Sequence, residues 1–223
     1  MKIVITGGHV TPALAVIEKL KEKIPEVEII FCGRKSTVEK DNSESFEYKM
    51  VSQISQVKFV NLTSGRLRRF FSLYTVISLI KVPIGIIQAF LLLKREQPSV
   101  ILTFGGYLGM PVALAGWLLQ IPVIVHEQTT SLGLTNKLIA NFAKVICVSS
   151  DDNINIYPKN KTVVTGNPLR KEIWQVNKKS QFREAKKFGL PILYITGGSQ
   201  GSMFINKLIE RNLKVLLNSY VLV

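Results

Sequence analysis

Eight short runs rich in valine and isoleucine constrain the fold more than any other feature of the chain. They are residues 2–5, 27–32, 57–60, 100–104, 123–127, 145–148, 162–165 and 192–195. Most are continuously apolar rather than alternating. Strands of a parallel sheet read that way, because helices cover both of its faces. Helical patterns fall between the runs, at residues 12–23, 79–95, 110–119, 134–142 and 179–188. Alternating strand and helix implies right-handed crossovers and a doubly wound α/β fold. An apolar fraction of 47% supplies core enough for such a fold and argues against disorder.

Two of the runs end in Thr-Gly-Gly and open into a helical pattern: Thr6-Gly7-Gly8-His9, and Thr196-Gly197-Gly198-Ser199-Gln200-Gly201. A strand that turns through glycines into a helix N-terminus presents unpaired N–H groups and a positive dipole end, a ready seat for phosphate or diphosphate. The first turn lacks the full GxGxxG spacing of a dinucleotide site, and glycines at such turns also serve as steric fittings. Thr103-Phe104-Gly105-Gly106-Tyr107 is a third glycine turn after a strand. It reads either as a loop kept low beneath a substrate or as tight helix–sheet packing.

Candidate chemistry gathers at the carboxyl ends of the strands, where ligands bind in such folds. His9 stands at the mouth of the first turn and reads as a base, a phosphate contact or a helix cap. His126-Glu127-Gln128 ends an apolar strand. Glu127 reads as a base, as a holder of sugar hydroxyls, or as a structural carboxylate bonded to a neighbouring loop. Arg170, in Thr165-Gly166-Asn167-Pro168-Leu169-Arg170, is a solvated charge or a bidentate diphosphate clamp. His9 and His126 are the only histidines and no HxxH or HExxH spacing occurs, so the sequence predicts no metal site and no cofactor.

The net charge is +14. Between Glu47 and Glu127 the one acidic residue is Glu96, among Lys49, Lys58, Arg66, Arg68, Arg69, Lys81, Lys94 and Arg95. Such a surface suits nucleic acid, anionic lipid or a phosphorylated substrate. No aromatic stacking platform or nucleic-acid module accompanies it, which disfavours the first. Residues 70–93 are strongly apolar, but Lys81 and Pro83 interrupt them. They read as an apolar helical surface resting on an anionic membrane face, with a membrane span or a wholly buried helix as alternatives. Cys32 and Cys147 each sit inside a strand-like run, and Met1 leads almost directly into the first strand. Both features predict a reduced, cytoplasmic chain without a leader. A domain boundary is expected near residues 166–175. After residue 192 too few elements follow to build a second sheet with its own core, so the sequence predicts a chain that stops within its second domain.

Taken in order, Thr6-Gly7-Gly8-His9-Val10-Thr11-Pro12-Ala13-Leu14-Ala15, Phe104-Gly105-Gly106-Tyr107, His126-Glu127-Gln128, Gly133-Leu134-Thr135-Asn136, Gly166-Asn167-Pro168-Leu169-Arg170 and Gly197-Gly198-Ser199-Gln200-Gly201 form a specific pattern. It resembles the MurG family, the lipid-linked N-acetylglucosaminyltransferases of peptidoglycan synthesis (glycosyltransferase family 28). The resemblance covers the family's N-terminal half and the start of its C-terminal half.

The resemblance implies a GT-B fold of two Rossmann-like domains. Residues 1–165 would form the complete acceptor domain, and 166–223 a linker and the beginning of the donor domain. The implied reaction is inverting transfer of N-acetylglucosamine from UDP-N-acetylglucosamine to lipid I, at the cytoplasmic face of the cell membrane. His9 and Glu127 would be catalytic, and Gly105, Gly106, Tyr107 and Gln128 would bind the acceptor. The Thr6–His9 turn would hold the acceptor diphosphate together with Gly105–Tyr107, and Thr6, Gly7 and Gly8 would also bind the donor, with Thr129, Arg170 and Ser199. Other cell-wall synthesis proteins are candidate partners. The alternative is a non-catalytic membrane-docking subunit whose partner supplies the donor domain. Thr129 stands where the family commonly has asparagine, and two glycines usual before Thr6 are absent. The segment expected to bind uracil and the donor sugar lies beyond Val223, so this chain alone is expected to lack donor affinity.

Overall fold

A computed structural model describes residues 1–36, 44–65, 73–130, 133–174, 187–197 and 201–223. The chain forms two compact units, Met1–Trp174 and Gln175–Val223.

In the first unit β1 (Lys2–Thr6), α1 (Val10–Lys23), β2 (Glu28–Gly33), α2 (Phe46–Ser52), β3 (Val57–Asn61), α3 (Leu73–Glu96), β4 (Val100–Thr103), α4 (Gly106–Leu118), β5 (Val123–Glu127), α5 (Leu134–Ala140), β6 (Val145–Val148), β7 (Thr162–Val164) and α6 (Lys171–Trp174) follow in turn. The strands make a seven-stranded sheet in the order β3-β2-β1-β4-β5-β6-β7, with every pairing parallel. Alternate side chains of β1 to β4 feed two cores. Ile3, Ile5, Ile29 and Phe31 pack with Ala13, Leu14 and Ile17 of α1 and Val51 of α2. Val4, Ile30, Val125 and Ile146 pack with Leu93 of α3, Leu108 and Val112 of α4 and Ile139 of α5. Helices on both faces explain why the strands are apolar without interruption.

The strand order reverses at β1, which lies between β2 and β4. The chain leaves β1 toward α1 on one face and leaves β4 toward α4 on the other. The carboxyl ends of these two adjacent strands therefore open a crevice, the topological switch point at which such sheets bind ligands.

Several elements differ from the sequence expectation. The strand expected over 100–104 ends at Thr103, because the Gly105 N–H turns back to the Thr103 hydroxyl at 3.1 Å. The helix expected from 110 starts at Gly106, so Gly106 and Tyr107 are helical rather than loop. α3 runs through Pro83 and starts earlier than residue 79. α2 was not anticipated; it is short, buries only Val51, and is capped by the Ser45 hydroxyl accepting from the Tyr48 N–H at 3.1 Å. Among the described residues no helix is long and apolar enough to cross a membrane. Cys32 is wholly buried in β2, its thiol pushed up to about 12 by burial, and Cys147 lies in β6; both are free.

In the second unit β8 (Ile192–Leu193) and β9 (Val221–Leu222) pair in parallel, joined through α7 (Met203–Ser219). The Ser202 hydroxyl caps α7 by accepting from the Ile205 N–H at 3.3 Å. Most of the helix expected over 179–188, together with Gly198, Ser199 and Gln200, lies outside the described residues, as do Arg66, Arg68, Arg69, Phe70 and Phe71.

Candidate functional site at the switch point

Thr6 and Thr103 are register partners on β1 and β4. Both side chains are fully buried, and the Thr6 hydroxyl donates to the Thr103 hydroxyl at 2.8 Å. Thr6 thus fixes the two turns against each other, and its side chain is turned away from any ligand in the crevice. A Cβ on Gly8 would lie 2.5 Å from the Gly105 carbonyl and 2.6 Å from the Gly106 nitrogen. A Cβ on Gly106, whose φ is +72°, would lie 2.6 Å from the Gly8 Cα. The first and third glycine turns are therefore in backbone contact. Alanine at position 8 meets backbone that cannot step aside, and Gly8→Ala is expected to destabilise the first unit by about 1–3 kcal/mol, read from the midpoint of urea unfolding.

This contact brings two helix N-termini together. His9 is the N-cap of α1 and Gly105 the N-cap of α4, and neither helix has an acidic residue in its first turn. Pro12 removes one of the N–H groups at the start of α1, so the first turn of α4 supplies the fuller set of donors. His9 is exposed and its side chain makes no capping bond, so the cap reading of this imidazole does not hold.

β5 delivers His126 and Glu127 to the same edge, both buried. The Glu127 carboxylate, only 3% exposed, accepts from the Thr129 N–H at 3.1 Å, the Thr129 hydroxyl at 2.8 Å, the Gly133 N–H at 3.2 Å and the Asn136 amide at 2.9 Å. Burial raises its pKa, but the donors from Thr129, Asn136 and Gly133 outweigh burial and hold it below the usual carboxylate range. An ionised carboxylate with four donors is a poor proton acceptor at neutral pH. The geometry favours the loop-anchoring reading of Glu127 over the catalytic one.

Asn136 closes one of the motifs quoted above, but the sequence alone assigned it no role. Its amide also donates to the His126 carbonyl at 3.3 Å, and a Cβ on Gly105 would collide with its side chain. Asn136 thereby links the anchored loop to the α4 turn. An asparagine at the third position of a short helix beside a strand ending in carboxylate was the available signal.

His126 Nε2 donates to the Gly166 carbonyl at 3.0 Å, which fixes the proton on that nitrogen. Burial lowers the His126 pKa, aided by the His9 charge and opposed by Gly166 and Glu127. The Gln128 carbonyl accepts from Asn167 at 3.2 Å and the Thr129 carbonyl from Asn153 at 2.8 Å. Arg170 is one-third exposed and lies 3.8 Å from Glu172, a loose pairing that leaves its guanidinium available to an anion. The Arg34 guanidinium stands 5.5 Å from the centre of the Tyr107 ring, adding a cation that the sequence reading omitted although it directly follows a strand. A groove of about 840 Å³ along the flank of α1 holds none of the candidate catalytic or binding residues.

Residues 4–148 match the glycosyltransferase family 28 N-terminal domain. The chain belongs to glycosyltransferase family 28. Its similarity to curated relatives extends past that domain. It is 34% identical to an enzyme of Clostridium tetani named UDP-N-acetylglucosamine–N-acetylmuramyl-(pentapeptide) pyrophosphoryl-undecaprenol N-acetylglucosamine transferase, over 98% of this chain and 60% of that one. Proteins of the same name from Clostridium novyi and Borrelia turicatae are 36% and 34% identical, over 98% and 96% of this chain. The chain spans about 60% of the length of the curated relatives it matches. The fold is shared with Acinetobacter baumannii MurG (TM-score 0.61, 24% identity, all of this chain and 57% of that one). It is shared equally with the UDP complex of Staphylococcus aureus MnaA (TM-score 0.61, 14% identity, 99% of this chain and 61% of that one).

Proposed function

We propose that this chain carries the acceptor-binding half of a transferase that moves N-acetylglucosamine from UDP-N-acetylglucosamine onto the muramyl sugar of an undecaprenyl-diphosphate lipid. The observation that carries the reading is the backbone contact of Gly8 with Gly105 and Gly106, which aims two helix N-termini at one point. A diphosphate held there gains N–H donors and two favourable dipoles with no metal ion. The names of the 34–36% identical relatives supply the substrates.

In this reading His9 is the general base. As the acceptor hydroxyl attacks the anomeric carbon of the donor sugar, the bond from that carbon to UDP breaks, and His9 takes the hydroxyl proton. Attack opposite the leaving group inverts the anomeric centre. Gly105, Gly106 and Tyr107 hold the acceptor diphosphate, with Gly7, Gly8 and Gln128 beside it, and Thr6 acts through its backbone alone. Thr129 and Arg170 face the donor, and Ser199, outside the described residues, belongs to the donor side. Glu127 is a positioning residue. Residues 1–165 and 166–223 remain the proposed division between acceptor domain and donor side.

The test is transfer of labelled N-acetylglucosamine to lipid I by this chain fused to the donor-binding half of a 34–36% identical relative. Product above the background of either half alone is expected, and its absence would reject the proposal.

Peripheral attachment to the cytoplasmic face of the membrane is part of the same reading. Ile84, Ile87 and Leu91 are 43%, 59% and 62% exposed and spaced three and four apart, a stripe on one side of α3 with Lys81, Lys94 and Arg95 on the same helix. Ile87→Glu with Leu91→Glu is expected to weaken sedimentation with vesicles containing anionic lipid by roughly tenfold or more. Binding that is unchanged would move the membrane face elsewhere.

A further inference from the structure

A pocket of about 270 Å³ opens beside the first turns of α4, and no proposed catalytic step uses it. Its walls are Val82 of α3, Tyr107, Met110 and Pro111 of α4, and Leu134 and Leu138 of α5. The loop after β3 closes one side. There the Ser64 hydroxyl donates to the Tyr107 carbonyl at 3.1 Å and the Thr63 N–H donates to the Gln88 side chain at 2.9 Å. Gly85 lets that loop approach, since a Cβ there would stand 2.5 Å from the Thr63 carbonyl oxygen.

Tyr107 joins two kinds of chemistry. It lines the pocket, and its ring carries the Arg34 guanidinium. It is also the second residue of α4, directly after Gly106. From Gly106 to Met110 the helix rises about 6 Å, so the apolar walls begin roughly one turn from the diphosphate-binding N-terminus. A bare anion has no use for Val82, Met110 and Leu138, and a purely apolar ligand has none for Arg34 and an N-terminal turn free of acid. The site suits an amphiphile whose anionic head and apolar tail meet within a few bonds.

We infer that this pocket takes the first isoprenoid segment of a polyprenyl diphosphate, the carbons bonded next to its diphosphate. The inference rests on the reading that the paired glycine turns hold the acceptor diphosphate. The volume falls just below the range of about 300–1,000 Å³ usual for small-molecule sites, which suits a short branched segment and not a whole polyprenyl chain. The remaining chain leaves past Leu134 and Leu138, whose side chains are partly exposed at the rim. The pocket would thereby set the depth and orientation of the lipid, and with it the position of the diphosphate under the helix N-termini.

Titration calorimetry of the whole chain with methyl, dimethylallyl, geranyl and farnesyl diphosphate tests this. Affinity is expected to rise about tenfold or more from the methyl to the geranyl ester and to change by less than about threefold from geranyl to farnesyl. Leu138→Trp, which fills the pocket from its rim, and Leu138→Asp, which places a charge there, are each expected to abolish that rise while leaving methyl diphosphate affinity unchanged. Equal affinity for the methyl and geranyl esters would overturn the pocket and leave the diphosphate site standing. A rise that survives in both variants would do the same. Failure of every diphosphate to bind the wild-type chain would overturn both the inference and the reading beneath it.

Discussion

Replacing His9 with alanine, in a chain joined to a donor-binding half, is expected to lower the rate of transfer by roughly 10²–10⁴-fold. Affinity for the acceptor diphosphate should change little, because α1 offers its backbone N–H groups whatever side chain its N-cap carries. The structure separates the two effects. The His9 side chain bonds to none of the N–H groups of the α1 first turn and is exposed, so its loss leaves no buried partner unpaired. Unfolding of His9→Ala should therefore match the parent to within about 0.5 kcal/mol. A general base and a phosphate contact predict different kinetics. Loss of the base lowers kcat, whereas loss of a ground-state contact raises KM. Steady-state rates across acceptor concentration decide between them, and unchanged kcat would reject His9 as the base.

The fold was legible for a physical reason. β1, β2 and β4 pack side chains into cores on both faces, so each reads as an apolar run and the parallel α/β class follows. The switch point was not legible. Gly8 and Gly105 lie far apart in the chain, and only the pairing of β1 with β4, which skips two intervening strands, brings them together. The sequence therefore offered three glycine turns of equal standing, two of which prove to be in backbone contact. It also left packing and ligand approach as rival accounts of Gly105 and Gly106. The structure shows the packing, since the glycines are needed for the close approach of one turn to the other, and in the proposed reading the same packing aims both sets of N–H groups.

Boundaries failed where glycine was involved. Gly106 and Tyr107 belong to α4, but helix propensity discounts a glycine-led start, so the sequence placed the first turn of the helix in a loop. That turn carries the donors on which the proposed site depends. α2 failed for the opposite reason, since a seven-residue helix with one buried side chain leaves almost no periodic signal. Its Ser45 cap was visible only as one serine in a polar stretch.

Glu127 gives the largest expected effect on stability. Glu127→Gln keeps the size of the side chain but replaces one carboxylate oxygen with an NH₂ group. The carboxylate accepts from two groups of Thr129, from the Gly133 N–H and from the Asn136 amide, all of them donors. In the variant an N–H donor must face at least one of these donors, and the remaining bonds lose their charge. Charge-assisted bonds contribute about 1.5–3 kcal/mol each, and a buried unpaired donor costs about 1–3 kcal/mol. A net loss of about 3 kcal/mol is expected, a fall in Tm of roughly 6–12 °C for a domain of this size. The pH dependence has a fixed sign. Because the folded pKa of Glu127 lies below its unfolded value, its contribution is complete above the ordinary carboxylate range and is lost as pH falls through the lower folded value. The gap in stability between wild type and variant should therefore narrow in acid. Binding of methyl diphosphate should weaken as well, since Asn136, released from Glu127, no longer braces the Gly105 turn. A catalytic base without a structural duty would behave otherwise, with transfer lost and both the unfolding curve and its acid dependence unmoved.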